Sequence, residues 1–104
     1  MGYYTQYALT CEPLSSEILY QFWEENENAQ MCIDKDGTTF DDCKWYDHED
    51  DILKFSKKYP DTLFVLTGIG EEKVDIWIFY AKNGKGYKEM ATLQFPCFDE
   101  NKLK

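Results

Sequence analysis

His48, the only histidine of the chain, and Cys43, its nearest cysteine, are the residues whose types could do nucleophilic chemistry together. Any Cys–His or Ser–His relay would have to run through that one imidazole. Cys43, however, stands among Asp41, Asp42 and Asp47, and negative surroundings withhold the attacking thiolate. His48 falls in the first turn of a predicted helix, where an exposed side chain is the ordinary outcome. The pair therefore assigns no catalytic residue, and the chain reads as a non-enzyme.

Metal and phosphate chemistry fare no better. Asp34, Asp36, Asp41 and Asp42 surround Gly37 in a D-K-D-G run that echoes a Ca²⁺ loop, but the Glu that such a loop needs at its twelfth position is missing. Cys11, Cys32, Cys43 and Cys97 contain no CxxC pair of the kind a structural zinc uses, and they read as free, mostly buried thiols of a cytoplasmic protein. Gly68-Ile69-Gly70 runs into Glu71-Glu72, whose carboxylates repel phosphate. A carboxylate pair of the glycosidase kind is not singled out, because an acidic chain offers many such pairs. No metal or cofactor is expected.

What these residues do share is charge. Between Glu24 and Asp51 lie eleven acids (Glu24, Glu25, Glu27, Asp34, Asp36, Asp41, Asp42, Asp47, Glu49, Asp50 and Asp51) and two lysines. The rest of the 104 residues hold nine acids and nine lysines, so the whole net charge of −9 resides in about a quarter of the chain. Such segregation makes a one-sided negative potential that repels nucleic acid and attracts basic surfaces. All eleven basic residues are lysines, which removes the bidentate fork that nucleic-acid readers favour; an AT-rich genome would leave the same mark. The acids, with Trp45 and Tyr46 as apolar anchors, are the expected partner-binding surface. The plain alternative is a solvated flank that keeps a small protein soluble.

The elements that must position this segment follow from periodicity. Tyr3 to Cys11 alternates as a strand, closed by Pro13. Ser15 is a good helix N-cap, Leu14 and Leu19 occupy the staple positions, and Ile18, Leu19, Phe22 and Trp23 share one side. Ala29–Ile33 is expected to be a short strand, Asp36-Gly37 a turn and Thr38–Trp45 extended. Asp47 with Asp50 starts a second helix whose inward stripe is Ile52, Phe55, Ser56 and Tyr59, ended by Pro60. Leu63–Ile69, Val74–Ala81 and Gly86–Phe95 read as an antiparallel meander. Its Asn83-Gly84 turn sets Lys82 against Lys85, Tyr80 against Tyr87, Ile78 against Glu89 and Ile76 against Ala91. One sheet face then carries Val74, Ile76, Ile78, Tyr80, Tyr87, Ala91 and Leu93. The other carries Trp77, Phe79, Lys88, Met90 and Thr92 with Phe64 and Leu66. Two helices cover one such face, and the Trp77/Phe79/Met90 face is expected to stay open for self-association unless the tail FPCFDENKLK folds across it.

Length and composition bound the rest. At 104 residues, residues 1–104 form one domain, and 43% apolar content argues against disorder. No apolar run reaches the roughly 20 residues that span a bilayer. The start MGYYTQYALT lacks a basic region followed by an apolar block, so no signal peptide is expected. Gln6 stands where a myristoylation motif wants Ser or Thr.

From Lys44 to Lys85 the pattern KWYDHEDDILKFSKKYPDTLFVLTGIGEE…DIWIFYAKNGK resembles small uncharacterised proteins of phages, prophages and other bacterial mobile elements. The likeness covers about 40 residues and extends to ferredoxin-like domains of certain phage proteins. It implies a mobile-element source and an α+β fold, and no catalytic residue. The expectation is therefore an α+β domain, two helices on one face of a mostly antiparallel four- to five-stranded sheet, ferredoxin-like. Its expected role is that of an acidic inhibitor of a host defence nucleoprotein complex, anti-CRISPR-like or anti-restriction, acting in the bacterial cytoplasm by nucleic-acid mimicry. It would bind a basic nucleic-acid-binding protein or effector complex, neither nucleic acid itself nor a membrane. The alternative is a phage structural or assembly protein that homodimerises through Trp77, Phe79 and Met90.

Overall fold

The computed structural model describes residues 4–70, 76–90 and 100–102. Strand β1 (Thr5–Glu12) buries every second residue, Thr5, Tyr7, Leu9 and Cys11. Helix α1 (Ser16–Glu25) begins where Ser15 Oγ accepts the Ile18 N–H at 3.3 Å, and it buries Leu19 and Phe22. Leu14 is exposed, so no hydrophobic staple forms there.

The expected strand at 29–33 is instead the single-turn helix α2 (Glu27–Gln30) followed by one isolated bridge, Ile33 to Thr39. The buried residues Ala29, Cys32 and Ile33 repeat at three and four, a helical rather than an alternating spacing. Side-chain amides hold the reversal. Asn26 Nδ2 donates to Phe22 O, and Gln30 Nε2 donates to Trp23 O.

Residues 37–43 run along the free edge of β1. Leu9 N–H donates to Gly37 O at 2.7 Å, Thr39 Oγ1 to Tyr7 O at 2.8 Å, and Thr5 and Cys43 exchange two bonds of 3.0 Å. This covers an edge that would otherwise offer unpaired amides. Gly37 has φ +88°, and a Cβ there would sit 2.1 Å from Leu9 O, so only glycine lets the loop approach so closely.

Helix α3 (His48–Ser56) faces inward through Ile52, Phe55 and Ser56, as its stripe predicts; Tyr59 lies beyond its end and packs on the core. Asp47 occupies the N-cap position without a side-chain cap bond. Strands β2 (Leu63–Gly70), β3 (Ile76–Lys82) and β4 (Lys85–Met90) complete a four-stranded antiparallel sheet ordered β1-β2-β3-β4. Asn83 and Gly84 take φ 51° and 78°, and the predicted pairs Lys82–Lys85, Tyr80–Tyr87 and Ile78–Glu89 are present. The Ile76–Ala91 pair, with Val74, Thr92 and Leu93, lies outside the described residues. Gly84 N–H donates to Ser56 Oγ at 2.8 Å and fastens this hairpin to α3.

The fold is thus α+β with an open antiparallel sheet. Its order does not confirm a ferredoxin-like arrangement, since every strand pairs with its sequence neighbour and all three α-helices fall between β1 and β2. The face expected to stay open is the inner one. Trp77 and Phe79 are 6% and 3% exposed and join Tyr7, Leu9, Phe22, Phe55, Phe64 and Leu66 in the core. The reason lies in register. Gly68 faces Trp77 across β2 and β3, and a Cβ on Gly68 would fall 2.2 Å from the indole. The missing side chain is the space that the ring fills. Only Met90, on the edge strand, remains exposed among the three residues expected to self-associate.

Candidate functional site

The acidic segment is organised by a bond the sequence did not assign. Cys32 and Cys43 form a disulfide with Cα atoms 5.6 Å apart, which corrects the reading of these two as free thiols. The turn at Gly37 and the Ile33–Thr39 bridge double the loop back and bring the two cysteines together. Cys11 is free and buried. Cys97 lies outside the described residues.

Nine of the eleven acids are exposed; Glu49 and Asp51 are half-buried. Several serve the fold itself. Asp51 Oδ2 accepts the Trp45 indole N–H at 2.8 Å, and Glu49 pairs with Lys88 on β4 at 3.1 Å. Glu25 accepts from Lys58 and from Gln21, and these partners hold its carboxyl below its ordinary range. Asp36 accepts the Thr38 hydroxyl and N–H, which lower its pKa likewise. Asp34 and Asp41 each accept the N–H of the next residue. Glu24, Glu27, Asp42, Asp47 and Asp50 make no side-chain hydrogen bond or ion pair among the described residues.

The structure groups these acids rather than fusing them into one patch. Glu24 and Asp36, with Glu17, Tyr20 and Lys35, line a shallow groove of about 680 Å³ between α1 and the 34–37 turn. Glu25 and Asp51 share a second depression with Lys54 and Lys58. Asp42 stands at a separate corner beside Tyr4, Gln6 and Ile69.

The two expected anchors part company. Trp45 is 1% exposed and belongs to the core, where it packs edge-on to Tyr7 at 5.4 Å. That removes it from the binding surface. Tyr46 is 81% exposed. Two further apolar side chains of this segment, Met31 and Phe40, are exposed at 68% and 66%, and sequence reasoning passed over both. The signal for Phe40 was its company: a lone aromatic between Thr38-Thr39 and Asp41-Asp42 has no apolar neighbour at strand spacing.

His48 also differs from expectation. Its side chain is only 15% exposed, stacked on Trp77 with centroids 5.0 Å apart. Nδ1 lies 2.7 Å from Trp45 O, so it carries the proton and donates there. That leaves Nε2 as a buried atom with no hydrogen-bond partner, 3.7 Å from Glu49 Oε2. Cys43, its candidate partner in catalysis, is tied up in the disulfide.

No family model, curated protein or solved structure matches this chain. The residues themselves therefore carry the functional reading. Among the described residues no three His, Cys, Asp or Glu side chains gather as a metal site, and no helix is long and apolar enough to cross a membrane.

Proposed function

We propose that this protein acts by binding, as a stoichiometric acidic inhibitor encoded by a mobile element. Its exposed carboxylates imitate nucleic-acid phosphates and occupy the basic channel of a host defence complex, such as a CRISPR effector or a restriction enzyme. The observation that carries the reading is the combination, in one segment, of nine exposed acids with the exposed Phe40, Tyr46 and Met31. Charge supplies fast, steered association, and protruding apolar side chains supply the desolvated contacts that dominate interface energies. Trp45 has no part in it.

The disulfide bears on where such a complex would form, because bridges of this kind are reduced in most cytoplasms. The hydrogen bonds of the loop to Thr5, Tyr7 and Leu9 involve no sulfur, so reduction removes none of the donors and acceptors that frame the acids.

The test is a cleavage assay with purified guide-loaded CRISPR effectors and restriction enzymes, titrated with the protein under reducing and non-reducing conditions. A companion variant converts Glu24, Glu27, Asp42, Asp47 and Asp50, the acids without structural duties, to Gln or Asn. Inhibition at one-to-one stoichiometry that fades with salt and is lost in the variant supports the reading. Equal inhibition by both proteins, or none across the panel, refutes it.

A further inference from the structure

On the sheet face turned away from the core, Val65, Ile76, Ile78 and Tyr80 are half-buried, while Ile69 and Tyr87 are exposed at 45% and 59%. The charges of its strands are Glu12, Glu89, Lys82 and Lys85, two of each sign, and Asp42 of the acidic segment borders it beside Gln6 and Ile69. This is a neutral, β-branched and aromatic surface on a protein of net charge −9.

The register decides what fits it. Glu12 pairs with Leu63 at one end of β1, and Lys82 pairs with Lys85 at the same end of β3 and β4. Glu12 and Lys85 therefore stand at opposite corners of one row. A twofold axis parallel to the strands, between β2 and β3, lays β1 of one copy over β4 of the other and preserves every row. Glu12 then meets Lys85 of the second copy, twice by symmetry, and Val65 meets its Tyr80, Ile69 its Ile76. An axis across the strands reverses the rows instead. It places Glu12 over Gln6 and Lys82 over Ile76, which leaves both without a partner. The first arrangement sets Lys82 on Leu63 and Glu89 on Ala8 but pairs Glu12 with Lys85 twice, and that pairing selects it.

We infer that this face is the seat of a second copy of the same chain, packed sheet on sheet in an isologous dimer. Four strands at about 4.8 Å and seven residues at about 3.3 Å give a footprint of roughly 19 by 23 Å. Side-chain relief aside, two copies bury roughly 900 Å², near the lower limit of about 1,000 Å² for specific association. The dimer is accordingly a weak, reversible one. The inference is independent of the inhibitor reading, since it uses no residue of 24–51.

Sedimentation velocity from about 5 to about 500 µM protein in 0.15 M salt brackets such an affinity. The variants are Ile78→Lys at the centre of the face, Glu12→Lys and Lys85→Glu at its corners, and the double swap of Glu12 and Lys85. Circular dichroism confirms that each is folded; the corner positions are solvent-exposed and tolerate either charge. The expected result is a concentration-dependent wild-type dimer, weakened at least about tenfold by Ile78→Lys, weakened by each single charge reversal and restored by the double swap. A wild type that stays monomeric throughout assigns the face to another occupant and overturns the inference. So does a dimer indifferent to Ile78→Lys, or a double swap no better than the single reversals.

Discussion

Replacing both Cys32 and Cys43 by alanine isolates what the disulfide does for the acidic loop. The bridge joins residues eleven apart, so the closed loop holds about twelve residues. The loop-closure entropy it removes from the unfolded chain is about 9.5 cal/mol/K, or about 2.8 kcal/mol at 25 °C. Native-state contacts are taken to add little to the difference, because the bonds of the loop to β1 through Gly37, Thr39 and Cys43 involve no sulfur. For a domain of this size the loss corresponds to a fall in Tm of roughly 10–20 °C. Thermal unfolding followed by far-UV circular dichroism measures it, with the oxidised wild type, the reduced wild type and the double alanine variant side by side. The reduced protein and the variant should coincide, both well below the oxidised form and both still cooperative. A shift under about 2 °C would refute the reasoning, since it would mean that the unfolded chain already holds this loop closed.

Three further outcomes follow from particular contacts, and a fourth from the charge distribution. Gly68→Ala forces a methyl group into the Trp77 indole and should destabilise by about 1–3 kcal/mol in urea unfolding. Trp45→Ala should cost about 3–5 kcal/mol, whereas Tyr46→Ala next to it should stay within about 0.5 kcal/mol while weakening partner binding; equal effects on stability would contradict their opposite burial. Glu25 and Asp36 have folded pKa values lowered from 4.5 and 3.8, so the stability they give is full above those values and disappears as pH falls through the folded ones. An acid titration should therefore show a shallower loss in Glu25→Gln than in wild type. Finally, added salt should strengthen the dimer while it weakens inhibition, and parallel responses would mean that one surface serves both.

Strands β1 to β4 and the β3–β4 register were legible because both rest on local signals: alternation at period two, and an Asn-Gly turn whose two residues accept positive φ. Helices α1 and α3 were legible for the same reason, from Ser15 as a cap and from the Ile52, Phe55 and Ser56 stripe, whereas α2 lies where a strand was expected. Alternation groups residues by face but does not say which face is inward when both are apolar. That choice was made by a non-local fit, the Trp77 indole over Gly68, with Tyr7, Leu9 and Cys11 of β1 in phase with it. Trp45 sits in a segment with no period at all, so its burial depended on Asp51 six residues later, ready to accept its indole N–H. The disulfide had no local signal either. It needs the loop to double back at Gly37, and that fold depends on the edge of β1, more than twenty residues earlier in the chain.

The two surfaces proposed here make opposite electrostatic demands, and the fold keeps them apart. Two bodies of charge −9 that meet through their sheets are taken with their centres of charge about 30 Å apart, about 10 Å between sheets and about 10 Å behind each sheet. Treated as point charges in water, they repel by roughly 4 kcal/mol at 0.01 M salt, where the Debye length is about 30 Å. At 0.15 M, with a Debye length of about 8 Å, the repulsion falls to roughly 0.3 kcal/mol. The exposed Glu12–Lys85 contacts contribute at most about 1 kcal/mol each and lose only part of that over the same range. Salt therefore removes more repulsion than attraction from the dimer. Binding of a basic channel runs the other way, because there every screened contact is an attractive one. With the charge confined to residues 24–51, the strands of the outer face carry equal numbers of acids and lysines, and Asp42 beside Gln6 and Ile69 marks where the acidic segment borders them.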